Sequence, residues 1–294
     1  MTLQKKKIKM EIKASQVKEL RDMTGVAMME CKKALVECSG DIEKALDLLR
    51  SNSALKAEKK AARVAADGLL RVYVGDDYST LIEINSETDF AAKDENFIKF
   101  ADDVQKFISE NKLTDIADIK ASEVEDKRKA LVQTIGENIQ LRRLETIEYS
   151  SEMNTSFYVH SDQKLGSIVV ISGGDETLAK DIAMHVAAFN PLCLSEADID
   201  PEILEREKAI YMVQAEESGK PQEIMEKMIE GKLKRFLSEV SLLSQNFVKD
   251  PEVTIQNLLD SNNAKIESYT RLKVGEGIEV ETKNFADEVA EQLK

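Results

Sequence analysis

From Ala14 to Asn52 the apolar positions fall at helical spacing in three short runs. Val17, Leu20 and Met23 line one side of a first helix, with Ser15 as its expected cap and Gly25 as its end. A side-chain oxygen satisfies the free N–H groups at a helix start, and glycine accepts the left-handed turn that closes it. Met28, Cys31, Leu35 and Cys38 mark a second helix, stopped by Gly40. Asp41 caps a third, where Ile42, Ala45, Leu46 and Leu49 make the i, i+3, i+4, i+7 stripe of an amphipathic helix. Three helices in so short a segment form a small module of the kind that docks onto a partner. The Ala- and Lys-rich stretch from Ser53 to Asp67 predicts a helical connector.

The pattern then changes to strands. Leu69 to Val74 and Thr80 to Ile84 flank Gly75-Asp76-Asp77, a hairpin signal. A loop from Asn85 to Lys93 leads to a helix from Asp94, with Phe97, Phe100, Ala101, Val104 and Phe107 inward. A further helix, Ser122 to Ile135, passes through Gly136-Glu137-Asn138 into a strand, Ile139 to Ile147. The same order recurs: a hairpin of Ser156–Val159 and Gly166–Ile171, then a helix from Asp175 with Leu178, Ile182, Val186 and Phe189 on one face. After an interruption, Ala264 to Val274 supplies a third strand. The pattern predicts an α+β protein with two related halves, each a three-stranded antiparallel sheet covered by helices.

Within the interruption, Asp200-Pro201 opens a helix. Ser218-Gly219-Lys220-Pro221 ends it and opens the next, so a helical hairpin projects from the second half. Its apolar stripe, Ile203, Ile210 and Val213 facing Ile224 and Met228, is thin enough to be exposed or used for contact. Asn284 to Leu293 predicts a closing helix. The implied divisions are a module with connector at 10–63, half-cores at 64–150 and 151–276, a hairpin at about 198–237, and a final module at 277–294.

Charge narrows the function. The net charge of −14, from 41 basic and 55 acidic side chains, opposes nucleic-acid binding, which draws its affinity from neutralising phosphates. The basic run Lys56 to Arg63 lacks interleaved aromatics and reads as a solvated helical face. No stretch approaches the ~20 apolar residues that span a bilayer. The lysines of Met1 to Met10 precede no apolar segment, so no secretory signal is expected and the chain reads as cytoplasmic. Three cysteines make no disulfide framework. Cys31 and Cys38, seven apart on a helix, stand ~10 Å from one another, too far to pair. No second pair completes a zinc site, and both are expected to be buried.

Catalytic chemistry finds little support. His185 sits within an apolar helical face, where packing is the expected role. His160 ends a hairpin strand, which leaves contact or turn roles. No phosphate-binding or dinucleotide fingerprint occurs, Gly173-Gly174 being a bare turn signal, and no cofactor or metal is expected. The loop Ser86-Glu87-Thr88-Asp89-Phe90-Ala91 sets an aromatic beside a carboxylate. In one reading Phe90 staples the helix start while Asp89 or Asp94 caps it, which spacing alone favours. In the other, Phe90 is an exposed wedge with a neighbouring acid, aimed at a partner's pocket.

Thr24-Gly25-Val26-Ala27-Met28-Met29-Glu30-Cys31-Lys32-Lys33-Ala34-Leu35 and Glu83-Ile84-Asn85-Ser86-Glu87-Thr88-Asp89-Phe90-Ala91-Ala92-Lys93 closely resemble signatures of the elongation factor Ts family. Ile135-Gly136-Glu137-Asn138, Ile182-Ala183-Met184-His185-Val186-Ala187-Ala188 and Val274-Gly275-Glu276-Gly277-Ile278-Glu279 match too, in family order. The resemblance implies a ubiquitin-associated-like N-terminal module, a two-halved core, an inserted coiled-coil hairpin and a C-terminal module. It implies an exchange factor without covalent chemistry whose partner is elongation factor Tu, GDP-bound and nucleotide-free, in translation elongation. By the same resemblance, Thr88, Asp89, Phe90 and Ala91 form the segment that pushes beside the partner's magnesium site. Ile135 and Gly136 would press near its phosphate-binding loop, with His160 as an additional contact. Arg21, Met28, Met29, Lys32 and Lys33 would form the N-terminal docking surface. Ala91 is smaller than the Val often found there, and Met1 to Lys9 precede the usual start. Two other classes stay open on the residues alone: an adaptor docking through the three-helix module, and a metal-independent hydrolase using scattered acids.

Overall fold

The computed structural model describes residues 12–279, so the expected helix over 284–293 and the lysine-rich start lie outside the described residues. The chain divides into two compact units. Among the described residues the first takes 12–71, 82–144 and 274–279, and the second takes 72–81 and 145–273.

The first unit opens with α1 (Ala14–Thr24), α2 (Met28–Glu37) and α3 (Ile42–Lys60). Their facing stripes bury Val17, Leu20, Cys31, Leu35, Ala45 and Leu49 in one small core. Asp41 caps α3, accepting the Lys44 N–H at 3.1 Å. Three expectations need correction. The α1 cap is Lys13, whose N–H is taken up by Gln16 Oε1 at 3.1 Å, so Ser15 falls inside the helix. Cys38 is only half-buried, because α2 ends one residue before it. The connector is helical as expected but only as far as Lys60, where α3 ends, so 61–66 is turn and extended chain; the Ser53 hydroxyl donates to the Arg50 carbonyl at 2.7 Å, which satisfies it inside the helix.

Next along the chain come β1 (Asp67–Val74), β2 (Tyr78–Ser86), the single turn α4 (Asp89–Ala92), α5 (Glu95–Asn111), the short α6 (Ile116–Lys120), α7 (Glu123–Ile135) and β3 (Gln140–Glu148), with the strand stretches within 72–81 and 145–148 counted in the second unit. The sheet runs in the order β1-β2-β3, and β2, its centre, is buried along its whole length. Phe97, Phe100, Val104 and Ile108 of α5 and Leu131 and Val132 of α7 share a core with Ile82, Ile84, Ile139 and Leu141 of the sheet. Phe107 is half-buried. The α6 helix was not legible, and part of the expected 85–93 loop is strand and helical turn.

One buried charge organises this unit. The Glu83 carboxylate, fully shielded, receives Arg142 Nη1 at 3.0 Å, Arg143 Nε, Asn85 Nδ2 at 3.0 Å and the Gly275 N–H at 2.8 Å. Burial pushes its pKa up, but these four donors outweigh that and hold it below the ordinary value. Gly275 sits at φ +75, and a Cβ there would meet the Ala66 carbonyl oxygen at 2.2 Å. Only glycine fits both the conformation and the space.

The second unit carries β4 (Asn154–Val159), β5 (Leu165–Ser172), α8 (Glu176–Phe189), α9 (Pro201–Glu217), α10 (Gln222–Val240), β6 (Asn246–Phe247), β7 (Asp250–Thr254), α11 (Ile255–Ser261) and β8 (Lys265–Lys273). Its sheet is antiparallel in the order β4-β5-β8, with Ser156 opposite Val169 and Val169 opposite Tyr269. Leu178, Ile182 and Val186 of α8 lie on Val169, Ile171 and Ile266. Phe189 does not join them: it is exposed and stacks on the His185 ring, centroids 4.6 Å apart. The β6–β7 hairpin and α11 are additions to the expected order, and Phe247, Ile255 and Leu259 complete this core.

Asp200 caps α9 through the Glu202 N–H at 2.9 Å, with Pro201 in the first turn, and α9 and α10 form the expected hairpin. It buries only Ala215, and Ile210, Val213 and Ile224 are exposed. No helix among the described residues is long and apolar enough to cross a membrane.

Candidate partner-contact surface

The turn after β2 is built from its caps. Thr88 accepts the Ala91 N–H on its hydroxyl at 3.2 Å and so starts α4, while Asp94 accepts the Asn96 N–H at 2.8 Å and starts α5. Ala91 and Ala92 point into the protein. Phe90, between them and the cap, is 82% exposed, the most exposed large apolar side chain described. Phe90 is therefore too exposed to staple the helix start, while the Asp94 cap expected with the staple is present and Thr88, not Asp89, caps α4. Asp89 beside it forms an ion pair with Lys93 at 2.7 Å, one helical turn on.

A second segment meets this turn from far along the chain. The α7 helix ends at Gly136, left-handed at φ +87, whose N–H returns to the Val132 carbonyl at 2.9 Å. The next residue, Glu137, takes the Thr88 N–H at 2.9 Å and the Thr88 O–H at 2.7 Å. Glu87 reciprocates, taking the Asn138 N–H at 2.6 Å. Asn138 Nδ2 donates in turn to the Arg63 carbonyl at 2.7 Å, and Lys60 Nζ donates to the Gly136 carbonyl. Thr88, which starts the Asp89-Phe90-Ala91 turn, is thus bonded to the residue that follows Ile135 and Gly136. The Lys56–Arg63 run is more than a solvated face, since Lys60 and Arg63 help tie this cluster together.

Arg21, Met28, Met29, Lys32 and Lys33 belong to the three-helix module and none is covered. Met28 and Met29 are exposed, and a shallow groove of about 390 Å³ is bounded by Met29, Lys32, Lys33, Val36 and Glu37. The module is seated on α7 through Glu30, which accepts from Lys56 and from Gln133, the latter at 3.1 Å. The Lys56 ammonium first, then Gln133, holds the Glu30 carboxyl below its ordinary range.

His160 belongs to the second unit, at the end of β4, with Nδ1 3.0 Å from the Asp162 carboxylate. His185 is fully buried: its Nε2 lies 2.9 Å from Gln245 Oε1 and its Nδ1 accepts the Val248 N–H at 3.2 Å. Burial drives its pKa down, and the bond to Gln245 only partly offsets that. It is the packing residue the apolar face suggested. The residues the sequence reading left without a role are Glu87, Glu137 and Asn138, each present in a quoted motif but explicable only once the two loops are seen together.

What the first unit presents is an exposed aromatic on a braced turn and an uncovered methionine-lysine face, the equipment of a protein that works by contact with another macromolecule. The family described as Elongation factor TS matches residues 87–276. The chain is 51% identical over 285 residues to Elongation factor Ts of Hahella chejuensis, covering 96% of this chain and 99% of the relative. It is 47% identical over 292 residues to that of Thioalkalivibrio sulfidiphilus, covering 97% and 99%. With that of Francisella tularensis subsp. novicida it shares 48% over 289 residues, covering 96% and 99%. The chain belongs to the elongation factor Ts family of translation elongation factors, which act as exchange factors and are not enzymes.

Proposed function

We propose that this chain binds elongation factor Tu in the cytoplasm, in its GDP-bound and nucleotide-free forms, and expels GDP by pressing the Asp89-Phe90 turn against the partner's magnesium and phosphate site. The observation that carries this reading is Phe90, 82% exposed on a turn whose flanking residues are fixed by hydrogen bonds. An aromatic held in water on a rigid mount loses little entropy on insertion, which is what an anchor residue needs. Asp89 would act on the metal that neutralises the phosphates, exchanging its Lys93 partner for the partner protein's site. Ile135 and Gly136, on the segment bonded to the turn, would widen the same contact, and His160 of the second unit would make a contact of its own.

Docking is the task of the 10–63 module through Arg21, Met28, Met29, Lys32 and Lys33, and the α9–α10 hairpin is a further contact arm. Exchange then follows from linkage: a factor that favours the nucleotide-free partner lowers its nucleotide affinity by the same ratio. No bond is made or broken on this chain.

The test is release of fluorescent GDP from elongation factor Tu, by wild-type chain and by Asp89→Ala, with magnesium present and chelated. Wild-type chain accelerates release, and Asp89→Ala slows it most when magnesium is present. Binding without acceleration would leave an adaptor. Equal slowing in both conditions would show that Asp89 only orients the turn.

A further inference from the structure

We infer that Glu137 is a positioning residue for exchange, a clasp that fixes the direction in which Phe90 is presented. The inference rests on the wedge reading given above.

The geometry is specific. The two oxygens of Glu137 take the two donors of Thr88, the backbone N–H at 2.9 Å and the hydroxyl at 2.7 Å. That hydroxyl has a single proton, which is committed to Glu137, so its lone pairs are aimed at the Ala91 N–H, 3.2 Å away. Glu137 thus selects the Thr88 rotamer that caps the very turn carrying Phe90. The bonds are charge-assisted, which makes them shorter and stronger than neutral ones. On the other side of the contact, Glu87 receives the Asn138 N–H at 2.6 Å, and the Ser86 hydroxyl donates to the Thr88 carbonyl at 2.9 Å. The two loops therefore hold each other by an exchange of carboxylates, one from each.

The Thr88–Glu137 bonds lie at the surface, Thr88 being exposed and Glu137 half-buried. A clasp at the surface, partly open to water, adds little to global stability. What it does add is restriction of a four-residue turn too short to hold a helical geometry alone. Phe90 is the only large side chain on that turn, so the restriction falls on its direction.

A double-mutant cycle tests this, because residues acting through one another are not additive. Saturating GDP-release rate, affinity for nucleotide-free elongation factor Tu, and melting midpoint are measured for Glu137→Ala, Phe90→Ala and the double variant. Misplacement of a positioned group by about an ångström costs up to ~100-fold, so Glu137→Ala is expected to slow saturating release roughly tenfold. The melting midpoint should stay within about 2 °C of wild type. In the Phe90→Ala background the same substitution should change release less than about twofold, there being no ring left to aim. Glu137→Gln, which keeps one acceptor, recovers part of the rate, and Thr88→Val, which removes the hydroxyl from the other side, reproduces the loss.

Wild-type release by Glu137→Ala alongside slow release by Phe90→Ala would overturn the clasp alone. A tenfold loss that persists without Phe90 would overturn it too, assigning Glu137 a contact of its own on the partner. Normal release by Phe90→Ala would remove wedge and clasp together.

Discussion

Replacing Phe90 by Ala separates the two physical roles an aromatic can take at the start of a helix. Because the ring is 82% exposed, folding removes only about a fifth of it from water. Full burial of such a side chain is worth about 1.5–3 kcal/mol, so the stake here is about 0.3–0.6 kcal/mol. For a chain of this length that moves the melting midpoint by only about 1–2 °C. A buried phenylalanine would behave differently, with truncation costing about 3–5 kcal/mol. Exchange should respond in the opposite sense. If the ring fills a pocket on elongation factor Tu in the state that releases GDP, its loss is that of an anchor residue, about 2 kcal/mol or more. At 1.36 kcal/mol per tenfold, release at saturating factor slows by about 30-fold. The assay pairs stopped-flow release of a fluorescent GDP with thermal unfolding of the same preparation. Phe90→Leu, keeping apolar bulk but not the flat ring, should fall between. A Phe90→Ala protein that melts ten degrees early yet exchanges at the wild-type rate when folded would refute the reasoning.

Replacing Met28 and Met29 together by Ala should raise the concentration of factor needed for half-maximal release while leaving the saturating rate intact, a titration that fails if the rate itself collapses. Glu83→Ala leaves Arg142 and Arg143 without their buried carboxylate and should cost about 3–5 kcal/mol, read by denaturant unfolding at neutral pH. The same group gives a pH signature. Its folded pKa is below the ordinary 4.5, so its stabilisation is complete above that value and is lost as the pH falls from there through the lower folded pKa. Unfolding at pH 7, 5 and 3 should therefore show an acid limb that is shallower in Glu83→Gln, and an unchanged limb would place the acid sensitivity elsewhere.

The helical elements were legible because their signals are local. The Asp41 cap, the Asp200-Pro201 start and the Gly25 stop each work within one turn of chain, and the structure uses all three as the sequence spells them. What stayed hidden depends on contacts between distant residues. The staple and the wedge predict the same spacing for Phe90, and what separates them is Thr88 acting as the cap and Glu137, 49 residues away, bracing it. The β6–β7 hairpin was invisible for a simpler reason, its two strands being too short to show an alternating pattern. The helical connector expected from Ser53 is the second part of α3, and the bond of Ser53 back to Arg50 keeps this serine within the helix.

Motifs that seem unrelated along the chain turn out to be halves of single contacts within the first unit. Glu83 meets Gly275, and the 83–86 and 274–277 signatures need one another: the carboxylate has no fourth donor without the turn, and the turn has no room for any residue but glycine. Thr88 meets Glu137, and Glu87 meets Asn138, on the same terms. The helix α7 joins these contacts to the module, since Gln133 near its end holds Glu30 while Glu137 just beyond it holds the turn. A side chain can push on a partner only if its own mount yields less than the partner does. Here the mount is a helix end locked by charge-assisted bonds rather than a free loop, and the module that carries Met28 and Met29 is bonded to the same helix through Glu30. On the proposed function, binding energy gathered at Met28 and Met29 would reach Phe90 through packed helix and fixed hydrogen bonds, a route by which a protein without catalytic groups can accelerate a release step.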